Sequence, residues 1–121
     1  MLTPHQIAGQ KAEAYVSAAL IDLGWQRLAQ NLRTPYAEVD LVFLTPKEDL
    51  VVVEVKARQL GSWLNEEDSL GRRQRLRLFR AAEWLLQRQD SQQQARVDLA
   101  SVDLIRGCPV QWRLFEQISL D

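Results

Sequence analysis

Two consecutive apolar strands, predicted at residues 38–44 and 50–58, constrain this chain more than any other stretch. Their residues are mostly Val, Leu and Phe, and the five residues between them include a proline and polar side chains typical of a turn. Such a turn predicts an antiparallel hairpin with Leu44 opposite Leu50. Because side chains alternate between the faces of a strand, both faces of this hairpin are apolar. It therefore belongs inside a sheet that other elements cover on both sides.

The open end of this hairpin carries charged residues. In the predicted register, Asp40 lies opposite Glu54, and Glu38 lies opposite Lys56. Directly opposed side chains have Cβ atoms about 5 Å apart, and like charges there are destabilising. At the edge of a core, each desolvated ion costs several kcal/mol unless something compensates it. Lys56 is one compensation and a divalent cation is another, so the pattern indicates a metal-dependent site.

Composition limits the class of protein. The chain has 121 residues, of which 46% are hydrophobic and 26% charged, and these values are ordinary for one soluble domain over residues 1–121. Without a signal-like segment or an apolar stretch of membrane-spanning length, we expect a cytoplasmic protein with no membrane partner. The single Cys108 excludes an internal disulfide framework and a Cys-rich zinc site. We expect His5, the one histidine, to be a surface residue.

The N-terminal segment is predicted to be a helix that begins at Pro4 and ends at Gly24. Thr3 can start a capping box there, and small and apolar residues recur behind it at helical spacing. Glu13 lies along the edge of that apolar stripe. Two interpretations of it stay open. It is either an edge side chain that reaches water or pairs with a Lys or Arg, or a third carboxylate at the acidic end of the hairpin.

A second, longer helix is predicted at residues 69–89, and one side of it is basic. Residues 72–80 contain five arginines and no acid, although the net charge of −1 and the pI near 5.8 show no global nucleic-acid signature. Arg73, Arg77 and Arg80 recur at i, i+4 and i+7. They form either a solvated charged face or a set of phosphate contacts, and both interpretations stay open.

The remaining segments complete an α/β order. Strands are predicted at residues 25–33, 96–104 and 110–115, so the order along the chain is α, β, β, β, α, β, β. Because a helix lies between the third and fourth strands, those two strands are predicted to be parallel neighbours. The expected fold is a mixed five-stranded sheet flanked by helices. In the loop before the second helix, Trp63 can either stack on a base or cover the core.

This ordered set of residues resembles a known nuclease superfamily. Asp40 on one strand, Glu54-Val55-Lys56 on the next and Glu13 on the preceding helix are similar to the PD-(D/E)xK motif. The resemblance is to its Holliday-junction-resolvase-like branch, which has a restriction-endonuclease-like core. More narrowly, the chain resembles the YraN family of small, uncharacterised bacterial proteins described as candidate endonucleases. The matching segments are residues 9–13, Asn31-x-Arg33, 38–42, 53–58, 73–75 and 96–98.

The resemblance implies metal-dependent hydrolysis of phosphodiester bonds in nucleic acid, with DNA ahead of RNA and branched or structured DNA as the expected substrate. The implied catalytic residues are Glu13, Asp40, Glu54 and Lys56. The implied ligands for Mg²⁺ or Mn²⁺ are Asp40, Glu54, Glu13 and the Val55 carbonyl. Lys56 is implied to orient the attacking water or neutralise developing charge.

Supporting roles and partners follow from the same resemblance. Glu38 is expected to tune Lys56. The small size and acidic pI imply weak binding by one chain, so we expect a homodimer or a protein partner to complete the substrate groove. The main alternative is a non-catalytic nucleic-acid-binding or accessory protein on the same fold, and another is a structural protein with internal salt bridges. The expected nucleic-acid contacts are Arg33, Arg58, Arg73, Arg77 and Arg80.

The chain departs from this family at two places. Tyr36 and Ala37 occupy positions that the family usually fills with glycine just before the first hairpin strand, which changes how closely a substrate can approach the backbone. Arg73 stands where the family usually has lysine. Arginine keeps the positive charge there but cannot act as a deprotonated base.

Overall fold

In the part of the chain that the structure describes, two helices and five strands follow the predicted order, and the strands form one mixed sheet. This computed structural model describes residues 1–61, 70–89 and 94–120. The arrangement is consistent with a restriction-endonuclease-like fold. The elements are α1 (Pro4–Asp22), β1 (Gln26–Arg33), β2 (Glu38–Leu44), β3 (Leu50–Gln59), α2 (Arg72–Leu86), β4 (Ala95–Ile105) and β5 (Cys108–Phe115).

The sheet has β3 at its centre, because its strand order is the same as the chain order. Strands β1 and β2, β2 and β3, and β4 and β5 pair antiparallel. Strands β3 and β4 pair parallel, as predicted, since α2 carries the chain across the sheet between them. Strand β3, which carries Glu54, therefore has a neighbour on each edge.

The hairpin has its predicted register at the turn, and its ladder is short. Leu44 pairs with Leu50, and the pairing of β2 with β3 runs for four residue pairs, as far as Val53. Beyond that point β2 stays paired with β1, and β3 stays paired with β4. The predicted opposition of Glu38 and Lys56 lies past the end of this ladder. The two strands part at the acidic end of the hairpin.

Two apolar clusters cover the two faces of the sheet. On one face, Val16 and its neighbours in α1 pack against alternate residues of β2 and β3, including the fully buried Phe43. On the other face, Leu78 and its neighbours in α2 pack against the intervening residues, including Val52. The prediction that this hairpin lies inside a covered sheet is confirmed.

The helices differ in how closely they follow their predicted ends. At the start of α1, the Thr3 hydroxyl accepts a hydrogen bond from the Gln6 N–H at 3.1 Å, and the Gln6 side chain accepts from Thr3, so the capping box is confirmed. Helix α2 ends at Leu86, three residues before its predicted end. Its predicted start at residue 69 and the loop with Trp63 lie outside the described residues. Among the described residues, no helix has the length and apolar character needed to cross a membrane.

Candidate functional site

A cavity of about 350 Å³ lies where β2 and β3 part, under the N-terminal half of α1. Three elements contribute to its wall: α1 carries Glu13, β2 carries Asp40, and β3 carries the Glu54–Lys56 segment. All four residues predicted to be catalytic, and the backbone ligand predicted at Val55, therefore line one cavity.

Asp40 stands at the point where the hairpin ladder ends. Its Oδ2 accepts a hydrogen bond from the backbone N–H of Val55 at 2.8 Å. Its carboxyl group also lies close enough to Glu54 to raise the pKa of that acid. Because the parting strands leave Val55 without a β2 partner, Asp40 supplies the acceptor for its N–H. The same geometry places two acids side by side.

Glu54 is the most buried acid of the cavity, with 6% of its surface exposed. Burial, followed by the hydrogen bond and the charge of Asp40, raises the pKa of Glu54 to about 9, while Lys56 and Gln74 act in the opposite direction. The Gln74 side chain in the first turn of α2 donates to Glu54 Oε2 at 2.6 Å. At neutral pH and without a bound cation, Glu54 holds a proton.

Glu13 reaches the cavity from α1. Burial raises the pKa of Glu13 to about 7, and the charges of Asp40 and Glu38 act in the same direction, whereas a hydrogen bond from Asn31 opposes them. Glu13 Oε1 is buried and has no hydrogen-bond partner in the described part of the chain. Of the two interpretations of Glu13, the structure shows the one in which it faces the acidic end of the hairpin.

The acids of the cavity fit a hard divalent cation that takes oxygen ligands. Mg²⁺ is usually held by one or two carboxylates, with water and substrate phosphates completing its coordination. Asp40 and Glu54 adjoin each other, and Glu13 offers a buried oxygen without a partner. Within residues 1–61, 70–89 and 94–120, no three Asp, Glu, His or Cys side chains converge closely enough to hold a metal by themselves. The donor set suits a cation bound through two carboxylates, rather than a closed protein cage.

Three of the predicted phosphate-binding arginines lie beside this site on α2. Arg73 and Arg77 line a second cavity of about 470 Å³ that also reaches Glu54. Arg80 lines a third cavity of about 270 Å³ farther along the helix. All three side chains are exposed, so the structure allows both interpretations of this basic face.

The other two arginines predicted to contact nucleic acid each lie within ion-pair distance of an acid. Arg33 lies 3.9 Å from Glu38, its register partner across β1 and β2, and both side chains are largely exposed. Arg58 lies 3.8 Å from Asp103 in a mostly buried pair. Neither arginine lines the cavities that contain Glu54. Glu38, predicted to tune Lys56, pairs instead with Arg33, because β1 runs beside β2 at this end of the sheet.

The structure adds three residues that the predicted site did not include. His5 is exposed, as expected, yet it lines the cavity two helical turns before Glu13. Asn31 takes a φ of 49° within β1, and its side chain acts to lower the pKa of Glu13. Gln74 hydrogen-bonds Glu54. Asn31 and Gln74 belong to the segments that match the YraN family, and that match was the signal that could have identified them.

A third family-matching segment, residues 96–98, forms a buried charge cluster near the hairpin turn. Asp98 is fully buried and accepts hydrogen bonds from Arg96 Nε at 3.0 Å and from the Gln117 N–H at 2.8 Å. Burial raises the pKa of Asp98, and these two donors oppose the shift. Arg96 also lies 3.7 Å from Asp49 in the turn. The cluster joins β4, the turn and the C-terminal segment, which is a structural role.

Comparison with known proteins identifies relatives over most of the chain. The model of the uncharacterised protein family UPF0102 matches residues 12–102. A UPF0102 protein of Bifidobacterium longum is 34% identical over 112 residues, which cover 90% of each chain. One of Synechococcus sp. (strain JA-3-3Ab) is 38% identical over 102 residues, covering 81% of this chain and 75% of that protein. One of Herpetosiphon aurantiacus is 29% identical over the whole of both chains.

Proposed function

The chain belongs to the uncharacterised protein family UPF0102, the YraN family, and we propose that it is a metal-dependent endonuclease that hydrolyses phosphodiester bonds in nucleic acid. The observation that carries this proposal is the convergence of Glu13, Asp40, Glu54 and Lys56 on one cavity from three separate elements. Acids with raised pKa values in a cleft are characteristic of functional sites. Here Glu13 and Glu54 both have raised pKa values.

A purely structural role for these acids has less support. Acids that only stabilise a fold are expected to be paired with cations, as Asp98 is paired with Arg96. In the cavity, Asp40 and Glu54 adjoin each other instead, and the buried Glu13 Oε1 has no partner in the described residues. This arrangement is destabilising as it stands, which is consistent with a site that a cation completes.

Each residue of the cavity has a proposed role. Asp40 and Glu54 would hold the divalent cation directly, and Glu13 and the Val55 carbonyl line the same cavity as further oxygen donors. When bound, Mg²⁺ or Mn²⁺ polarises the scissile phosphate and lowers the pKa of a water molecule. Lys56 follows Glu54 by two residues, so the two side chains leave the same face of β3 about 7 Å apart. From there Lys56 orients the attacking water or neutralises the charge that develops on the phosphate.

The proposed substrate is nucleic acid, with DNA ahead of RNA. Arg73 and Arg77 support this, because they lie in a cavity that also reaches Glu54 and offer phosphate contacts beside the acids. The net charge of the chain is only −1, so its basic surface is local. We therefore propose that a second copy or a protein partner supplies further contacts to the substrate.

Cleavage assays test the proposal directly. The purified protein is incubated with branched, flapped and single-stranded DNA and with RNA, in Mg²⁺ or Mn²⁺. We expect cleavage of at least one substrate and a loss of about 100-fold or more in Asp40→Ala, Glu54→Ala and Lys56→Ala. Lys47→Ala, which removes an exposed lysine at the hairpin turn, should cleave like the wild type. A wild type that cleaves none of these substrates, or three variants as active as the wild type, would refute the nuclease assignment.

A non-catalytic nucleic-acid-binding or accessory protein on the same fold is the second candidate. The observation favouring it is that no three acids among the described residues converge on a single point. Titration with Mn²⁺ separates the two functions, since only a catalytic site requires the ion. A nuclease should bind Mn²⁺ and lose that binding in Asp40→Asn. A pure binder should bind nucleic acid equally well with and without the substitution.

A further inference from the structure

Tyr36 lies between two adjoining cavities on the α2 side of the sheet. The cavity next to the acids has a volume of about 470 Å³ and is lined by Tyr36, Ala37, Glu54, Arg73 and Arg77, among others. The cavity farther along α2 has a volume of about 270 Å³ and is lined by Tyr36, Arg80, Glu83, Trp84 and Gln87. Because Tyr36 lines both, the two cavities adjoin at its side chain, and we call the pair the track; the cavity next to the acids reaches Glu54.

The loop that carries Tyr36 is held by its own hydrogen bonds. The buried Thr34 hydroxyl accepts from the backbone N–H groups of Tyr36 at 3.2 Å and Ala37 at 3.0 Å, and it donates to the Ala37 carbonyl at 2.7 Å. Tyr36 itself is 45% exposed. A loop with this internal bonding therefore presents an accessible aromatic ring beside both cavities.

The opposite wall of the track is basic. Arg73, Arg77 and Arg80 follow one another at i, i+4 and i+7, which corresponds to a row about 10 Å long on α2. None of the three forms an ion pair with an acid in the described part of the chain. The three exposed guanidinium groups can contact phosphates, and the row runs beside the exposed ring of Tyr36.

We propose that this track binds a single-stranded polynucleotide, with a base stacked on Tyr36 and phosphates on Arg73, Arg77 and Arg80. Trp84 also lines the cavity farther along α2, and the Arg88 guanidinium lies over its ring, 3.7 Å from the centroid. The biological use of the track rests on the proposed function, because the track would lead an unpaired strand, such as a flap or the arm of a branched substrate, to Glu54.

An accessible aromatic ring in a concave site distinguishes an unpaired strand from a duplex. In a duplex the base faces are already stacked on one another, so a protein reaches mainly phosphates and base edges. In a single strand every base has a free π face, and stacking on an aromatic ring is largely independent of sequence. Arginines alone would bind both forms, whereas Tyr36 adds affinity only for the unpaired one.

Binding measured in EDTA tests the track without any cleavage. Fluorescence anisotropy compares labelled oligo-dT, labelled oligo-rU and a fully paired DNA hairpin with the same number of nucleotides. We expect the better single strand to bind roughly tenfold or more tightly than the hairpin, as base stacking on an aromatic ring allows. The oligo-dT and oligo-rU arms show whether the preferred strand is DNA or RNA.

Variants assign the effect to particular residues. Tyr36→Ala should weaken single-strand binding by roughly tenfold or more and leave hairpin binding nearly unchanged, while Tyr36→Phe should bind like the wild type because it keeps the ring. Arg77→Gln should weaken binding of every ligand and reduce the salt dependence of single-strand binding by about 0.7 in slope. Lys47→Ala is the matched control for lost positive charge, since Lys47 lies at the hairpin turn.

Two results would overturn the proposal: equal affinity of the wild type for the hairpin and both single strands, or unchanged single-strand affinity in a folded Tyr36→Ala variant. Circular dichroism melting establishes that each variant is folded. The outcome is independent of catalysis, because EDTA removes the metal. If the protein binds single strands through Tyr36 but cleaves no substrate, the track is supported and the nuclease proposal is refuted. A protein that cleaves nucleic acid but does not prefer single strands would support the nuclease proposal and refute the track.

Discussion

The Gln74 side chain donates a hydrogen bond to Glu54 Oε2 at 2.6 Å, across 20 residues of sequence. It connects the first turn of α2 to the most buried acid of the cavity. Glu54 lines both the cavity of the acids and the cavity that contains Arg73 and Arg77, so this bond lies where the acidic site and the track meet. Gln74 therefore orients the acid that the proposed mechanism uses as a metal ligand.

Loss of this hydrogen bond is expected to weaken metal binding without unfolding the protein. In Gln74→Ala, Glu54 Oε2 loses its donor and is no longer held in one orientation. Partners of metal ligands typically account for about 10- to 100-fold in affinity, so Mn²⁺ binding should fall by that factor in a calorimetric titration. Gln89→Ala, at an exposed position after α2, is the control and should bind as the wild type does. Equal affinity of Gln74→Ala and the wild type would exclude this role.

Asp40→Asn is expected to keep or raise the stability of the metal-free protein. The amide oxygen can still accept the hydrogen bond from Val55, while the negative charge beside Glu54 disappears. Thermal unfolding in EDTA should therefore give a melting temperature no lower than that of the wild type, and added Mn²⁺ should no longer raise it. A purely structural role for Asp40 predicts the opposite, a lower melting temperature in EDTA.

The stability of the metal-free protein is expected to fall as the pH rises from acidic to alkaline. The folded state raises the pKa of Glu13 to about 7 and that of Glu54 to about 9, so it holds protons that the unfolded chain has already released. This contribution to the free energy of unfolding is complete at acidic pH. It is lost as the pH rises through about 7 for Glu13 and about 9 for Glu54. Thermal unfolding in EDTA over this range measures the decline.

A divalent cation and a double variant provide the controls for that pH dependence. Mn²⁺ should stabilise the protein more at alkaline than at acidic pH, because it binds the deprotonated carboxylates. The double variant Glu13→Gln/Glu54→Gln has no titrating group at these positions, so its decline in EDTA should be smaller. Asp98, whose pKa burial also raises, remains in both proteins. A double variant with the wild-type pH dependence would show that other groups cause it.

Asp98→Ala is expected to lower the stability of the fold and to leave metal binding by the acidic cavity unchanged. The substitution leaves the partly buried Arg96 without its closest acid, and breaking such a pair costs about 3 kcal/mol. Urea unfolding measures this loss, and Asp22→Ala, at the exposed end of α1, should change stability little. Mn²⁺ binding per folded molecule should be unchanged. A folded Asp98→Ala protein that fails to bind Mn²⁺ would contradict the structural role.

The hairpin shows how much of the fold could be predicted. Alternation of apolar residues over 38–44 and 50–58, with a polar turn between them, predicted the two strands and the pairing of Leu44 with Leu50. The end of the ladder at Val53 was not predictable in this way. Beyond that point β2 stays paired with β1 and β3 stays paired with β4, and these pairings involve strands outside the hairpin.

The five arginines predicted to contact nucleic acid also show that spacing along one element does not predict contacts between elements. Spacing on α2 predicted an exposed basic row, and Arg73, Arg77 and Arg80 are exposed. Arg33 and Arg58 lie in segments that match the family, as Arg73 does, yet each lies beside an acid of a neighbouring strand. Spacing along one element does not reveal which residue of another element lies opposite.

By itself, the sequence determined the properties that depend on residues a few positions apart. These are the capping box at Thr3, the alternation of the strands, and the placement of Glu54 and Lys56 on one face of β3. Tertiary structure alone decided which distant groups reach the acids, such as Asn31 at Glu13 and Gln74 at Glu54. The reason is physical: strand alternation and capping are local, whereas a hydrogen bond across 20 residues exists only after α2 has packed on the sheet.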